Sequence, residues 1–288
     1  MSKRILLVGA ALLGVAAINL TACDSGTNNA DALVIGMECA YQPFNWTQST
    51  SNEFTLPIDG TSEYADGYDI AVAKYLSQDL NRPVIIKRTN WEDLIPSLNS
   101  GSINMILAGM SSTAERRETI DFTDPYLESD LAFLIRTENL PAGNSKANPA
   151  SYQDLLNLFN GKSLVCQSGV VGDDIIEDYF VSASGVTINH SAAQTTYPLA
   201  AIDVQRGISF AMPAELPVVE AMANLEGLSV LYCDYSFLSE GDLEGLKVNI
   251  GIKKGNDQLR NDLNASLARL SQEQRSQMMG AASQRSAA

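Results

Sequence analysis

The fold is decided by residues 102–126, which read Ser102-Ile-Asn-Met-Ile-Leu-Ala-Gly-Met-Ser-Ser-Thr-Ala-Glu-Arg-Arg-Glu-Thr-Ile-Asp-Phe-Thr-Asp-Pro-Tyr126. The short apolar run predicts a buried strand, and the segment that begins at Thr113 predicts the start of a helix. Gly109 permits close approach of backbone N–H groups, Ser111 offers a hydroxyl, and Arg116 offers a two-pronged guanidinium. This combination predicts a site for a small carboxylate. From this stretch alone, an ordinary helix cap with a solvated arginine pair stays an equal alternative.

Outward from this stretch, predicted strands and helices alternate along the chain. Strands are predicted at 33–36, 84–87, 103–107, 131–136, 163–167, 208–212, 228–233 and 248–253, and helices at 68–80, 91–100, 113–119, 152–158, 173–180, 199–205, 217–225 and 257–270. A long polar loop is predicted from 47 to 66, and a turn-rich stretch at 141–149 ends the first unit. The alternation predicts an α/β protein with mainly parallel sheets covered by helices.

Composition excludes several classes of protein. The chain has 45% apolar and 18% charged residues, a balance typical of a well-packed globular protein. Its formal charge of −15, without a cluster of basic and aromatic residues, argues against a nucleic-acid partner. With a single histidine and no Cys/His cluster of zinc spacing, the sequence predicts neither a metal site nor a cofactor.

The first 23 residues have the layout of an export signal. Lys3 and Arg4 precede an apolar core at 5–18, which is too short to span a membrane, and Leu20-Thr-Ala-Cys23 follows as a small-residue cleavage site. We expect residues 1–22 to be removed, which leaves 17 basic and 34 acidic residues, a formal charge of −17. Residues 24–30 are small and polar and predict a linker.

Three further cysteines remain after Cys23, at positions 39, 166 and 233. Cys166 and Cys233 both lie in predicted strands of the same unit, so a bridge between them is one possibility outside the cell. Buried free thiols are equally ordinary. The sequence does not decide between the two.

Several segments together resemble the family 3 extracellular solute-binding proteins, which bind amino acids for bacterial ABC importers. The resemblance covers nearly the whole chain and rests on the order and spacing of 36–44, 67–70, 91–101, 108–126, 161–169 and 251–256. Leu20-Thr-Ala-Cys23 resembles the bacterial lipobox. It implies a diacylated Cys23 that anchors the protein outside the cytoplasmic membrane, with an incidental cysteine as the alternative.

The resemblance implies a two-lobed periplasmic-binding-protein fold of type II, with two crossover hinge strands and the ligand cleft between the lobes. The first lobe would comprise 33–128 and 249–288, and the second 129–248, after a lipid-anchored linker at 23–32. Hinges are expected near 126–130 and 246–250. Closure around a ligand would then be a hinge motion.

Two sets of residues fall on the family's positions for the ligand's carboxylate. In the first lobe these are Gly109, Ser111 and Arg116, and in the second lobe Ser168 and Gly169. The family usually places a hydroxyl residue after that glycine, whereas this chain has Val170, so only a backbone donor is expected there.

The remaining ligand contacts are implied less directly. Glu215 falls near the family's acidic position for the ammonium group, although the match needs one extra residue and a surface helix cap remains the alternative.

Tyr41, Phe44 and Tyr68 correspond to aromatic walls, with plain core packing as the alternative, strongest for Phe44. Trp46 and Trp91 favour core packing. Glu38 lies where a carboxylate meets the ligand's side chain and indicates a polar or cationic amino acid.

These residues predict a monomeric binding protein that hands a free amino acid to an ABC importer permease. A sensory module of the same fold would continue into a membrane span and a signalling domain. A cyclohexadienyl-dehydratase-like enzyme would need an acid in the cleft, and nothing in the sequence singles one out. His190 is not near a nucleophile elbow. The sequence therefore favours binding over catalysis.

Overall fold

The computed structural model describes residues 31–286, so the predicted signal peptide, Cys23 and most of the linker lie outside the described residues. The strands are β1 (Leu33–Met37), β2 (Ala40–Tyr41), β3 (Asn45–Gln48), β4 (Leu56–Pro57), β5 (Tyr64–Asp66), β6 (Val84–Arg88), β7 (Met105–Ile106), β8 (Ile120–Glu128), β9 (Leu131–Arg136), β10 (Ser163–Leu164), β11 (Asn189–His190), β12 (Ala211–Glu215), β13 (Leu228–Tyr232) and β14 (Lys247–Lys253). The helices are α1 (Tyr68–Leu80), α2 (Leu94–Ser100), α3 (Ala114–Thr119), α4 (Tyr152–Phe159), α5 (Val171–Ile175), α6 (Tyr197–Gln205), α7 (Leu216–Met222), α8 (Glu240–Glu244), α9 (Asp257–Leu267) and α10 (Gln272–Ser286).

The first lobe is built on a five-stranded sheet of order β6-β1-β7-β14-β8. Strand β1 runs parallel to β6 and β7, whereas β14 runs antiparallel to β7 and β8. Leu33, Ile35 and Met37 of β1 are fully buried, as expected of a central strand covered by helices on both faces.

Helix α1 matches its predicted bounds because its start and end are specified locally. Gly67 precedes it with a φ of 134°, and a Cβ at Gly67 would lie 2.1 Å from the carbonyl oxygen of Phe44. The helix ends at Asn81, which adopts the left-handed conformation. The N-terminus of α1 therefore lies directly on the loop that carries Phe44.

The second lobe is built on a sheet of order β11-β10-β12-β9-β13, in which β10 is parallel to β11 and β12, and β9 is antiparallel to β12 and β13. The strand predicted at 208–212 is displaced: it runs from Ala211 to Glu215, and Ile208 is 63% exposed. Pro213 lies inside this strand opposite Phe133 rather than ending it. This shift carries Glu215 to the end of β12.

The chain passes between the two sheets twice. Strand β8 ends at Glu128 and β9 begins at Leu131, and later β14 begins at Lys247 paired with Glu128. Both passages fall in the segments where hinges are predicted. The two-lobed α/β architecture with two crossovers is confirmed.

Two regions differ from the sequence prediction. The segment at 47–66, which was predicted as a loop, contains most of a four-stranded antiparallel sheet of order β2-β3-β5-β4. The C-terminal tail, for which no helix was predicted after 257–270, forms the 15-residue helix α10. Arg285 on α10 makes a 2.7 Å ion pair with Asp66, which is fully buried on β5, so the tail is fastened to the first lobe.

The described cysteines Cys39, Cys166 and Cys233 are buried free thiols, so the possible bridge is absent. Between residues 31 and 286, no helix is both long and apolar enough to cross a bilayer. In the same part of the chain, no cluster of three or more His, Cys, Asp or Glu side chains could hold a metal ion.

Candidate functional site

A cleft of about 310 Å³ lies between the two lobes. Both lobes contribute to its walls: the first supplies Glu38, Tyr41, Trp91, Gly109, Ser111 and Arg116, and the second supplies Gln167, Val170, Val171, Tyr197 and Glu215. Seven of these residues were predicted from the sequence, namely Glu38, Tyr41, Gly109, Ser111, Arg116, Val170 and Glu215.

Arg116 is the basic side chain of the cleft. It lies in the first turn of α3, where the N-cap residue Thr113 accepts a hydrogen bond from its backbone N–H at 3.3 Å. Its guanidinium donates to the carbonyl oxygens of Ser111 and Gly169, each at 2.9 Å, and its Cζ lies 5.1 Å from the ring centroid of Trp91. Burial lowers the pKa of Arg116, but an arginine stays charged at neutral pH. A rigid, largely buried cation is therefore available to a ligand anion.

Gly109 and Ser111 line the cleft, but their polar groups are engaged within the protein. The Gly109 N–H donates to the hydroxyl oxygen of Tyr126 at 3.0 Å, and the Ser111 hydroxyl donates to the carbonyl oxygen of Gly245. Gly109 has a φ of +64°, and a Cβ there would lie 2.7 Å from the ring of Tyr41. Glycine is therefore required for packing of the aromatic wall, and the direct donor role expected for these two groups is not what the geometry shows.

The loop of the second lobe reaches the cleft through backbone and apolar atoms. The carbonyl oxygen of Gly169 accepts from both Arg116 and the Trp91 indole N–H, the latter at 3.0 Å. Val170 lines the cleft as the N-cap of α5. Ser168 does not line it and faces an adjacent cavity of about 690 Å³. Gly169 thus serves as an acceptor that joins the lobes, and its N–H, which was expected to reach the ligand's carboxylate, donates to the Asp173 carboxylate at 3.3 Å.

Glu215 lies at the end of β12 and brings a carboxylate into the cleft from the second lobe. The Tyr41 hydroxyl donates to its Oε2 across the cleft. Burial raises the pKa of Glu215, and the Tyr41 hydrogen bond and the charge of Arg116 oppose that rise. Since β12 pairs with β9 in full register, the position of this carboxylate is fixed by the sheet.

Glu38 supplies the second carboxylate, from the loop after β1. Its Oε1 accepts a hydrogen bond from the Gln167 side chain of the second lobe at 3.0 Å. Desolvation raises the pKa of Glu38 from 4.5 to about 7, although the Gln167 hydrogen bond acts in the opposite direction. Glu38 also borders the adjacent cavity, so it lies at the end of the cleft that opens toward that space.

Tyr41 forms the aromatic wall as the middle ring of a stack. Its ring centroid lies 5.1 Å from that of Phe44 and 4.8 Å from that of Tyr197. Phe44 and Tyr68 are fully buried and do not line the cleft; Tyr68 donates its hydroxyl to the carbonyl oxygen of Tyr126 at 2.8 Å. These two predicted contact residues instead support Tyr41 from behind.

Four residues of the cleft were not predicted as ligand contacts: Trp91, Gln167, Val171 and Tyr197. Trp91 was assigned to core packing, and Gln167 directly precedes the predicted pair Ser168 and Gly169. Tyr197 had no local signal, because its contact with Tyr41 depends on how the two lobes meet.

Comparisons with known proteins agree with this architecture. The octopine-binding periplasmic protein of Rhizobium meliloti is 29% identical over 161 residues, which cover 52% of this chain and 51% of the relative. The glutamine-binding protein GlnH of Bacillus subtilis is 23% identical over 243 residues, which cover 83% of this chain and 76% of the relative. Matches to the first curated relatives span about half the length of those proteins.

A solved structure with the same fold is that of the amino acid ABC transporter substrate-binding protein AbpA from Streptococcus pneumoniae, bound to L-arginine. It has a TM-score of 0.71 and 17% identity, and the match covers 91% of this chain and 98% of that one. A family model also matches residues 33–280. The chain therefore belongs to the bacterial extracellular solute-binding proteins of family 3.

Proposed function

We propose that this protein captures a free amino acid, with cationic amino acids favoured, and delivers it to an ABC importer. The observation that carries the proposal is the set of charged groups in the cleft, where the Arg116 guanidinium and the carboxylates of Glu38 and Glu215 line one space. These three are the cleft residues whose side chains carry charge near neutral pH.

A free amino acid brings a carboxylate and an ammonium group into a closed cleft, and each needs a partner because an unpaired buried ion is costly. The Arg116 guanidinium has five N–H donors, two of which serve Ser111 and Gly169, so it can also bind the ligand's carboxylate. Glu215 can accept from the ammonium group. Both partners are supplied by groups that secondary structure holds in place.

Glu38 supports the preference for a cationic side chain. With Arg116 and Glu215 matched to the two ends of the ligand, Glu38 is the one charge left without a partner. A guanidinium, ammonium or imidazolium group would neutralise it, whereas an acidic side chain would be repelled. Relatives named as an arginine-binding and a probable histidine-binding protein support a cationic side chain, and those named for glutamine and L-cystine support an amino acid more broadly.

The proposal includes a lipid anchor and a location outside the cytoplasmic membrane. It rests on the signal layout and the lipobox resemblance at Cys23, which lies outside the described residues. Replacing Cys23 by alanine should release the protein from membranes or leave an unprocessed precursor, as seen by fractionation and intact mass. A mature, membrane-bound Cys23→Ala protein would contradict the anchor.

We further propose that the protein acts as a monomer whose lobes, 33–128 with 249–288 and 129–248, close by bending at the two crossovers. It would bind its ligand without converting it. One solved neighbour, with a TM-score of 0.66 and 21% identity, is an ancestral amino-acid-binding protein described as a precursor of cyclohexadienyl dehydratase. Recovery of the bound ligand unchanged after denaturation would support binding alone, and a new product would contradict it.

The ligand class can be tested by a thermal-shift screen of the twenty amino acids. A ligand present at a hundred times its dissociation constant should stabilise the protein by about 2.7 kcal/mol. We expect arginine or another basic or amide amino acid to give the largest shift. Agmatine, which has the guanidinium but no carboxylate, is the matched control and should give little. If no amino acid raises the melting temperature, the proposed substrate class is wrong.

A further inference from the structure

Asp69 is a buried carboxylate whose two partners are both neutral. It lies in the first turn of α1 and is fully buried. Its Oδ2 accepts from the Asn45 side-chain amide at 2.7 Å, and its Oδ1 accepts from the Tyr126 hydroxyl at 2.7 Å. Burial raises the pKa of Asp69 from 3.8 to about 7. A buried acid without an ion pair is costly to keep, which indicates a role beyond packing.

The Asn45 side chain links Asp69 to the loop that carries Glu38. The Asn45 Oδ1 accepts the backbone N–H of Cys39 at 2.8 Å. Cys39 has a φ of +56°, a left-handed conformation that is unusual for a residue other than glycine. It stands between Glu38 and Tyr41, the two cleft residues of that loop. The turn that aims these two side chains is therefore held by Asn45.

The Tyr126 hydroxyl links Asp69 to the loop that carries Ser111. Its oxygen accepts the backbone N–H of Gly109 at 3.0 Å. Gly109 is also left-handed, with a φ of +64°, and its Cα lies against the ring of Tyr41. The loop that carries Glu38 and Tyr41 and the loop that carries Ser111 thus each have a left-handed residue tied, through one intermediate side chain, to the same carboxylate.

Above pH 7, where Asp69 is mainly ionised, its charge decides which way both intermediate groups point. A carboxylate only accepts, so the single proton of Tyr126 is directed to Asp69 and its lone pairs are free for Gly109. In the same way the amide NH₂ of Asn45 is directed to Asp69, which turns its carbonyl oxygen toward Cys39. An amide at position 69 would place an NH₂ group against either the Tyr126 hydroxyl or the Asn45 NH₂ group. Two donors would then face each other, and the hydrogen bonds to the loops would be disturbed.

We propose that Asp69 is a positioning residue that sets the geometry of both first-lobe ligand loops through Asn45 and Tyr126. It does not contact the ligand. For its effect on affinity, this inference rests on the proposed function. Its effect on the loops does not, because all four hydrogen bonds join protein atoms to one another.

The test compares Asp69→Asn and Tyr126→Phe with the control Tyr75→Phe. Tyr75 also lies in the first lobe and donates its hydroxyl to a backbone carbonyl, that of Ser266, at 3.1 Å. Residue-resolved amide hydrogen exchange is measured on the ligand-free proteins, and calorimetry then gives the dissociation constant for L-arginine under conditions where each variant is fully folded.

In Asp69→Asn, the exchange rates of the Cys39 and Gly109 amides should rise at least about tenfold. Each amide is held by one hydrogen bond, and the free energy of one hydrogen bond corresponds to about a tenfold change in the opening equilibrium. In Tyr126→Phe only the Gly109 amide should respond, and in Tyr75→Phe neither should. The double variant should exchange no faster at Gly109 than Asp69→Asn alone, because both changes break the same chain of hydrogen bonds. The dissociation constant for L-arginine should rise at least about tenfold in Asp69→Asn and change less than about twofold in Tyr75→Phe.

Faster exchange throughout the first lobe of Asp69→Asn would show a general structural role and overturn the proposal. So would an unchanged dissociation constant in a variant whose two amides exchange faster. If Asp69→Asn does not fold, Tyr126→Phe decides the matter through Gly109 alone. If wild-type protein binds no amino acid, the proposed function fails, while the exchange data still decide whether Asp69 holds the loops.

Discussion

The raised pKa of Glu38 leads to a specific pH dependence of binding. A cationic side chain needs Glu38 in its ionised form, yet burial raises the pKa of Glu38 from 4.5 to about 7. That rise in pKa corresponds to a free-energy cost of about 3 kcal/mol for ionising Glu38, and attraction to the ligand's positive charge must offset this cost. Glu38 is about half ionised at pH 7 and about one part in a hundred at pH 5. The affinity for L-arginine should therefore fall about a hundredfold between pH 8 and pH 5.

L-Glutamine is the matched ligand for this measurement. It shares the carboxylate and ammonium contacts with L-arginine, so any titration of Glu215 affects both ligands, whereas only arginine requires an ionised Glu38. Titration calorimetry from pH 5 to pH 8 should thus show a steeper dependence for arginine. In buffers of different ionisation enthalpy, arginine should release about half a proton per site at pH 7.

Glu38→Gln should remove this difference. We expect the variant to bind L-arginine at least about a hundredfold more weakly and L-glutamine within about threefold of wild type, since only the former loses a buried charge pair. Glu92→Gln is the control, because Glu92 lies nearby but is exposed to solvent. A flat pH profile for arginine, or an unchanged ratio of the two affinities in Glu38→Gln, would refute the assignment of Glu38 to the ligand's side chain.

Three further predictions follow from other groups. Arg116→Ala should weaken binding of every amino acid by about 3 kcal/mol, more than a hundredfold, whereas Arg117→Ala, about 100° around the helix from Arg116, should stay within about threefold; equal losses by calorimetry would contradict a specific carboxylate contact. Trp91→Phe removes the indole N–H that joins the lobes and should raise the ligand dissociation rate about fivefold in stopped-flow measurements, with an unchanged rate arguing against a role in closure. Because Glu38 and Asp69 have folded-state pKa values raised to about 7, their stabilising contribution is present below pH 4 and lost as the pH rises through 7. The ligand-free protein should therefore melt at a higher temperature at pH 5.5 than at pH 8.5 in calorimetric scans, and the opposite order would contradict these shifts.

Elements with strong local signals were predicted to within a residue. Helix α1 and strand β9 have their predicted bounds, because apolar periodicity and a preceding glycine or turn fix them. The sheet within 45–66 was missed because its strands have two to four residues and no periodicity to detect. Pro213 was taken as the end of a strand, but pairing with β9 keeps it inside β12. Here the tertiary sheet overrides the local signal.

The cleft shows the same division between local and tertiary information. Glu38, Tyr41 and Arg116 lie in short segments that match the family's motifs, so the resemblance was enough to predict them as ligand contacts. Tyr197 and Trp91 reach the cleft only because the two lobes meet, and nothing within either segment indicates that meeting. The buried hydrogen-bond network behind the loops, which centres on Asp69, was likewise not visible in the sequence.

The three described cysteines have a practical consequence for labelling. Cys39, Cys166 and Cys233 are at most 6% exposed, and burial raises the pKa of Cys39 and of Cys233 to about 12. Thiol reagents attack the thiolate, so these side chains should be nearly inert at neutral pH. In a soluble form that starts after Cys23, one cysteine introduced at the exposed rim position Glu92 would be the single reactive thiol. A fluorophore attached there would make the protein an optical sensor of its own ligand, without replacement of any of the three buried cysteines.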